Sequence, residues 1–545
     1  MGGFLNRGNI NFKKDLNKPI YVDMSDMIGL LNARIDTYPY ICISRPRRFG
    51  KSMMANMLRA YYDCSVDSSS LFEGLAIEND PSFRKHLNQY NVIYMDIAAC
   101  GAARNVQETM TYIEENIFLD VEVEVYEKHP SRLLKTYLDN KDLNNVLREV
   151  TMLTGRGFVF IIDEWDYLFR KLPDDLEGHK DFQHWLSGFL KGQDEYVSLV
   201  YMTGILPVKT YGSESILNMF SEKSVVNAGD FARFTGFTED QVKELCTEYD
   251  KSFETMKEWY DGYTVNGVSV YNPNSIVCAI MEGAYQSYWS ESSSFEDVKY
   301  YISMNYDGLK EKVASLLSGI RIEVDMRSYT FRLNHFKSSD SVLASLVHLG
   351  YLTFESRDDD GQMEEEQDEP KLGYVKIPNK EVRGQFELAV KGDQQYQRLF
   401  EALYRSESLL DATLAGDEKK VAEEIERAHE HFTSIIKAND ENSLACVIGN
   451  AYYTAVSKYA VFNEFPSGKG YADITFIPLE GTSDPPMIVE LKYNKTAETA
   501  IDQIKSRNYQ GKLSDGWKEI ILVGINYDKE NRTEPYTCRI ERWHA

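Results

Sequence analysis

Gly50, Lys51 and Ser52 close the run Arg45-Pro46-Arg47-Arg48-Phe49-Gly50-Lys51-Ser52, which lies between an apolar stretch and a helical pattern. That order suits a chain of phosphates. A glycine lets backbone N–H groups face phosphate oxygens, a lysine reaches the β- and γ-phosphates, and a hydroxyl ligates Mg2+ at the positive end of a helix. The first glycine of the usual G-x-x-x-x-G-K-[ST] pattern is Arg45 here. A second element strengthens the reading, because Asp163-Glu164 follows an apolar run. Asp163 is expected to help hold Mg2+ through water and Glu164 to polarise an attacking water. Thr203 ends the next apolar run and reads either as a polar sensor near the γ-phosphate or as an ordinary strand-end threonine. Arg47, Arg48 and Arg233 are candidate transition-state cations, against a structural or phosphate-contacting role for each. Phe49 and Met53 flank the glycine and lysine and complete the expected phosphate-chain site.

A second constellation lies near the other end. In a strand, residues two apart share a face, so Glu490 and Lys492 point together while Leu491 points away. With Asp473 from a neighbouring strand, two carboxylates can hold a hard cation such as Mg2+ beside an ammonium. That set suits phosphodiester hydrolysis: the cation activates water and offsets the developing charge, and Lys492 orients the nucleophile or stabilises the same charge. Gly468-Lys469-Gly470 precedes the Asp473 strand, Gln503 lies on a helix after the Lys492 strand, and residues 520–525 supply a further core strand. Glu464 and Glu441 are candidate additional ligands, with an exposed salt-bridge role the preferred reading of Glu441.

These groups need elements to hold them. Residues 38–44, 91–97, 158–163 and 197–203 are nearly continuous apolar runs, as expected of parallel strands covered on both faces with helices between them. This is an α/β doubly wound pattern, expected over residues 1–230. Residues 231–392 turn helical. Thr238 and Gln241 have the spacing of a capping box, and residues 341–354 read as an apolar helix running through Gly350 into a short strand. A strand returns at 373–378, so the acidic run 355–369 is expected as the solvated tip of a hairpin, and the region as winged-helix-like. Residues 259–263 and 271–273 read as aromatic packing around a turn, with no chemistry derivable from them. A charged helical connector is expected over 393–438. The last unit, 439–545, should hold a helix through Tyr459 and strands around Asp473, Val489 and Val523.

The chain of 545 residues is 43% hydrophobic, enough to bury several cores. At about 100–200 residues per domain, three or four domains are expected. No apolar run approaches the roughly 20 residues of a bilayer span. The start has neither a secretory apolar segment nor a myristoylation pattern, so a cytoplasmic address without a membrane partner is expected. Seven scattered cysteines without a C-x-x-C pair fit reduced thiols. The net charge of -25 argues against the whole surface serving as a nucleic-acid platform, while leaving room for a local basic cleft or a metal-bridged site.

The runs SRPRRFGKS, FVFIIDEWD, YMTGILPVKTYG, FTGFTEDQV, MKEWYDGYTVNGVSVYNPNSI and LGYLTF resemble the bacterial AAA-ATPase-like family, whose members often carry a C-terminal nuclease-fold domain. The resemblance implies that Arg45 in place of the first glycine is the family's habit, and that the chain binds ATP. Asp473, Glu490-x-Lys492 and Gln503 resemble the PD-(D/E)xK nuclease superfamily and imply a restriction-endonuclease-like fold. The combined expectation is an ATP-controlled, Mg2+-dependent nuclease acting on DNA or RNA. The alternative is a regulatory ATPase whose nuclease-like domain binds nucleic acid or a partner without cutting. A P-loop kinase is disfavoured, because Glu164 suits activation of water rather than of a substrate hydroxyl. AAA-type ATPases often form rings, but no feature of the sequence shows an oligomer.

Overall fold

In the computed structural model, the described residues are 3–208, 216–234, 236–289, 294–304, 306, 308–317, 319–329, 336–356, 372–391, 394–432, 448, 451–452, 454–455, 458–467, 470–479, 484–513, 516–531 and 533–544. The N-terminal sheet comprises β1 (Tyr40–Ser44), β2 (Asn91–Asp96), β3 (Phe158–Asp163), β4 (Val197–Gly204) and β5 (Ser221–Lys223), in the order β2-β3-β4-β1-β5. All four pairings are parallel. Two-sided burial explains the unbroken apolar runs. Ile41, Ile43, Val159, Ile161, Leu199 and Tyr201 feed one core, while Cys42, Phe158, Phe160, Ile162, Val200 and Met202 feed the other. The carboxyl ends of β1, β3 and β4, which are neighbours in this order, therefore present Ser44, Asp163 and Gly204 along one edge.

The middle of the chain is less purely helical than its pattern suggests. Three very short strands, β6 (Phe237–Thr238), β7 (Tyr263–Val265) and β8 (Val268–Tyr271), form a sheet ordered β6-β8-β7. The β7–β8 hairpin turns on Asn266 and Gly267, both at positive φ (47° and 74°), as a tight two-residue turn requires. Thr238 and Gln241 do form a reciprocal capping box, opening the helix Glu239–Glu248. The apolar helix Ser339–Leu349 ends at Gly350 (φ 87°) and leads into β10 (Thr353–Ser356). β10 pairs antiparallel with β11 (Leu372–Lys376), and β9 (Ile322–Asp325) completes a sheet ordered β10-β11-β9. The acidic run thus joins a hairpin, with residues 357–371 outside the described set. The helix-then-hairpin order expected of a winged helix is present.

The chain divides into two units: residues 1–309 with 323–389, and residues 310–322 with 390–545. In the second unit two charged helices, Gln394–Ala415 and Glu418–Phe432, precede a mixed sheet. Its strands β12 (Tyr459–Ser467), β13 (Gly470–Pro478), β14 (Met487–Tyr493), β15 (Glu519–Tyr527) and β16 (Tyr536–His544) lie in sequence order. Only β14 and β15 run parallel, linked by the helix Ala497–Arg507. Tyr459 opens a strand, which corrects the expected helix through that residue: its ring is buried against Phe476 of the adjacent strand. Among the described residues no helix is long and apolar enough to cross a membrane, and six cysteines are free thiols.

Candidate functional site

From β1 the chain turns through residues 45–50 into the helix Lys51–Tyr62. Arg48 (φ 68°) and Gly50 (φ 83°) both adopt left-handed backbone. A Cβ at Gly50 would meet open space, so glycine serves there for its backbone angle rather than for room. Lys51 is buried, and its ammonium donates to the carbonyls of Arg45 (3.1 Å) and Pro46 (2.8 Å) while standing 3.9 Å from Glu164. Burial lowers its affinity for the proton, and Glu164 pulls the other way. Asp163, at the end of β3, is buried and accepts the Glu164 N–H at 3.1 Å; burial lifts its carboxyl to about 6, with the Ser52 hydroxyl drawing it back down. The Tyr94 hydroxyl lies 3.4 Å from the same carboxylate.

A cavity of about 440 Å³ opens over this loop. Arg48, Phe49, Gly50, Lys51, Ser52, Met53 and Glu164 line one side. The rest of the lining is mostly apolar: Pro19, Ile20, Tyr21, Val22 and Met24, with Lys18, and Pro273, Val277 and Met281, with Asn274, of the helix Pro273–Glu282. Arg47 and Thr203 are not among the lining residues. Thr203 is fully buried, and its hydroxyl has no hydrogen-bond partner among the described residues. Arg233 is also outside the cavity lining: it pairs with Asp26 at 2.8 Å and lies over the Phe234 ring.

The aromatic stretch around residues 259–273 now has a place. Phe49 packs edge-on against Tyr263 (5.3 Å between ring centroids), and the Tyr263 hydroxyl donates to the Gly350 carbonyl at 2.8 Å. A Cβ on Gly350 would fall 2.6 Å from the Pro46 Cβ, so the end of the helix Ser339–Leu349 rests directly on the phosphate loop. Arg48 donates to the Tyr288 carbonyl at 2.6 Å. The middle region therefore braces residues 46–49 from three sides.

The second constellation is assembled from β13, β14 and the helix between β14 and β15. The β13–β14 ladder runs to Ile474↔Val489, one residue short of Asp473 and Glu490. Asp473 accepts the Leu491 N–H at 2.7 Å. The buried Lys492 ammonium donates to Glu490 Oε1 at 2.9 Å and to the Leu491 carbonyl at 2.8 Å. Gln503 donates to the same Glu490 oxygen and approaches the Tyr509 hydroxyl at 3.3 Å. Glu490 Oε2 is buried with no hydrogen-bond partner among the described residues. Burial, then the neighbouring Asp473, lifts the Glu490 carboxyl to about 7, while Lys492 draws it down. No group of three or more His, Cys, Asp or Glu side chains poised for a metal occurs among the described residues. Glu441 and the side chain of Glu464 lie outside them. An orphaned carboxylate oxygen beside a second carboxylate nevertheless fits a hard cation, and so does the Ser52–Asp163 pair.

Residues 10–213 match a family model described as "Predicted AAA-ATPase" (AAA-ATPase-like), and residues 439–535 match the PD-(D/E)XK nuclease superfamily. The chain joins an AAA-ATPase-like domain to a PD-(D/E)xK nuclease-superfamily domain. Membership supports nucleotide binding by the first and a nuclease-like fold for the second. Along nearly its full length the chain is also similar to "Uncharacterized protein in vnfD 5'region" from Azotobacter chroococcum mcd 1: 21% identity, covering 93% of each. Cdc6p from Pyrobaculum aerophilum covers 70% of this chain and 97% of its own at 12% identity, with a TM-score of 0.23. The Aeropyrum pernix ORC2 protein covers 74% and 99% at 9% identity, with a TM-score of 0.22. Scores this low carry no structural likeness.

Sequence reasoning located the loop and the acidic strand end of the AAA-ATPase-like domain but missed the opposite wall of its cavity. Residues 19–24 lie in a loop, where apolar residues have no period to read, and the YNPNSI run reveals its role only when its helix lines the same cavity as the phosphate loop. In the nuclease-superfamily domain Tyr509, six residues beyond Gln503, was the residue not foreseen.

Proposed function

We propose that the AAA-ATPase-like domain binds and hydrolyses ATP with Mg2+, and that the nuclease-superfamily domain cuts phosphodiester bonds of nucleic acid with Mg2+ under control of that nucleotide. The observation that carries the first half is the buried Lys51 ammonium, held by two carbonyls of its own loop 3.9 Å from Glu164, beside a cavity of about 440 Å³ that Gly50, Lys51, Ser52 and Glu164 line together with mostly apolar residues. In this reading Lys51 and the N–H groups at the start of the helix Lys51–Tyr62 hold the outer phosphates, and the apolar wall takes the base. Ser52 and Asp163 are the residues that would hold Mg2+, which supplies charge neutralisation at the phosphates. Glu164 orients the attacking water and accepts its proton.

In the second domain Asp473 and Glu490 are the residues that would hold Mg2+, which supplies an activated water and charge neutralisation. Lys492 stands beside Glu490 and stabilises charge developing on the scissile phosphate. Gln503 fixes the Glu490 carboxylate from the helix side.

The test uses the purified full-length chain with Mg2+, assaying phosphate release from ATP and cleavage of single- and double-stranded DNA and RNA, with and without ATP. Turnover of ATP together with ATP-dependent cleavage is the expected result. ATP turnover without cleavage of any nucleic acid would overturn the nuclease half and leave a regulatory ATPase.

A further inference from the structure

Glu164 sits at φ 54°, a left-handed position that a residue other than glycine keeps only when its surroundings hold it. The group that holds it comes from the short helix Tyr167–Lys171. The Arg170 guanidinium donates through Nη2 to Glu164 Oε2 and through Nε, at 2.9 Å, to Asp166 Oδ2. Asp166 is completely buried, and the Arg170 side chain is only 12% exposed. The same Asp166 oxygen accepts the backbone N–H groups of Ile205 (3.2 Å) and Leu206 (2.9 Å), the first residues after β4. A Cβ at Gly204 would lie 2.6 Å from Asp166 Oδ1, so β4 must end in glycine for this aspartate to fit. Trp165 ties the same two strand exits together, its N–H donating to Thr203 (3.1 Å) and its indole to Leu206 (3.2 Å).

We infer that Arg170 is a positioning residue for ATP hydrolysis, bridging Glu164 to Asp166 and so fastening the water-activating carboxylate to the exit of β4. The inference rests on the hydrolytic reading proposed above. In that reaction the water oxygen bonds to the γ-phosphorus and the bond from that phosphorus to the β–γ bridging oxygen breaks. ADP leaves with the electron pair, and the water proton passes to Glu164. One Glu164 oxygen is committed to Arg170, while the other, Oε1, faces the Lys51 side of the cavity. Arg170 thus decides which oxygen meets the water and from what direction. Its planar fork can reach two carboxylates at once, which an ammonium does poorly. Misplacing a reacting group by about 1 Å can slow a reaction roughly 100-fold.

The experiment measures ATP turnover and binding of a fluorescent ATP analogue by the full-length chain carrying Arg170→Ala, Arg170→Lys, Glu164→Gln, or Glu164→Gln with Arg170→Ala. Arg170→Ala should lower kcat about 10- to 100-fold with KM and analogue affinity changed less than about 3-fold, and Arg170→Lys should recover part of kcat. In the Glu164→Gln background, Arg170→Ala should change turnover by less than about 2-fold, because the residue it positions has already gone. Wild-type kcat in Arg170→Ala overturns the inference. So does a loss of analogue binding that parallels the loss of kcat, or a full further loss in the Glu164→Gln background; each makes Arg170 a structural residue only. Wild-type turnover no faster than that of Lys51→Ala overturns the hydrolytic reading and the inference with it. Normal wild-type turnover with an unaffected Arg170→Ala removes the inference alone.

Discussion

The two candidate sites use the same kinds of residue in opposite ways. Around the phosphate loop, Lys51 rests on main-chain carbonyls, Asp163 accepts the Glu164 N–H and the Tyr94 hydroxyl, and a large cavity opens alongside. Around Glu490 the side chains satisfy one another: Lys492 and Gln503 converge on one carboxylate oxygen, and the second has no partner among the described residues. Burial raises both central carboxyls, Asp163 to about 6 and Glu490 to about 7. Each also feels a like charge, Asp163 from Glu164 and Glu490 from Asp473, and a cation between the latter pair would turn that liability into a ligand. One site is shaped by backbone for a ligand with volume, the other by charge for a ligand with almost none.

Four measurements can break or sharpen that contrast, and the largest effect belongs to the charge-built site. Lys492→Ala should lower nucleic-acid cleavage by about 1000-fold while ATP turnover stays at the wild-type level; a parallel fall in ATP turnover would show that the sites do not act separately. Next, Lys51→Ala should reduce ATP turnover at least about 100-fold and remove the ATP-dependent part of the cleavage. The cavity wall comes third. Val277→Asp places a carboxylate where the proposed base packs, and should weaken ATP binding roughly 10-fold, or about 1.4 kcal/mol; unchanged affinity would mean that the base lies elsewhere.

The fourth effect is on stability rather than on rate or binding. Asp163 rises from 3.8 to about 6 and Glu490 from 4.5 to about 7, so the native chain holds both protons more tightly than the unfolded chain. The stability this confers is complete below the lower value of each pair and is lost as pH climbs through the higher one. Calorimetry with chelator present should therefore show Asp163→Asn gaining on the wild type up to about pH 6, and Glu490→Gln up to about pH 7. Each gain should be on the order of 3 kcal/mol. A gain that shrinks with rising pH would reverse the assigned cause.

Legibility followed the same division. Gly50-Lys51-Ser52 and Asp163-Glu164 are contiguous, and the strands before them are covered on both faces, so composition alone betrays them. Asp473, Glu490 and Lys492 were readable because alternation on a strand fixes which side chains share a face. What escaped depends on tertiary meeting. Strands of two or three residues, such as Phe237–Thr238 and Tyr263–Val265, are too short to display a period. Arg233 looked available for phosphate until Asp26, distant in sequence, proved to hold it. Tyr459 sits where helix and strand patterns are equally apolar, and only pairing with β13 decides between them.

The lysine of the phosphate loop has a consequence for how tightly any nucleotide can be held. Its ammonium does not wait as an unmet charge in a dry site, because two carbonyls of its own loop already act as its ligands. A phosphate must outcompete them, so the free energy gained is the difference between two sets of oxygen contacts rather than the whole of a buried ion pair. Departure of the nucleotide is eased by the same carbonyls, which stand ready to take the ammonium back. A loop that competes with its own ligand is one built for exchange.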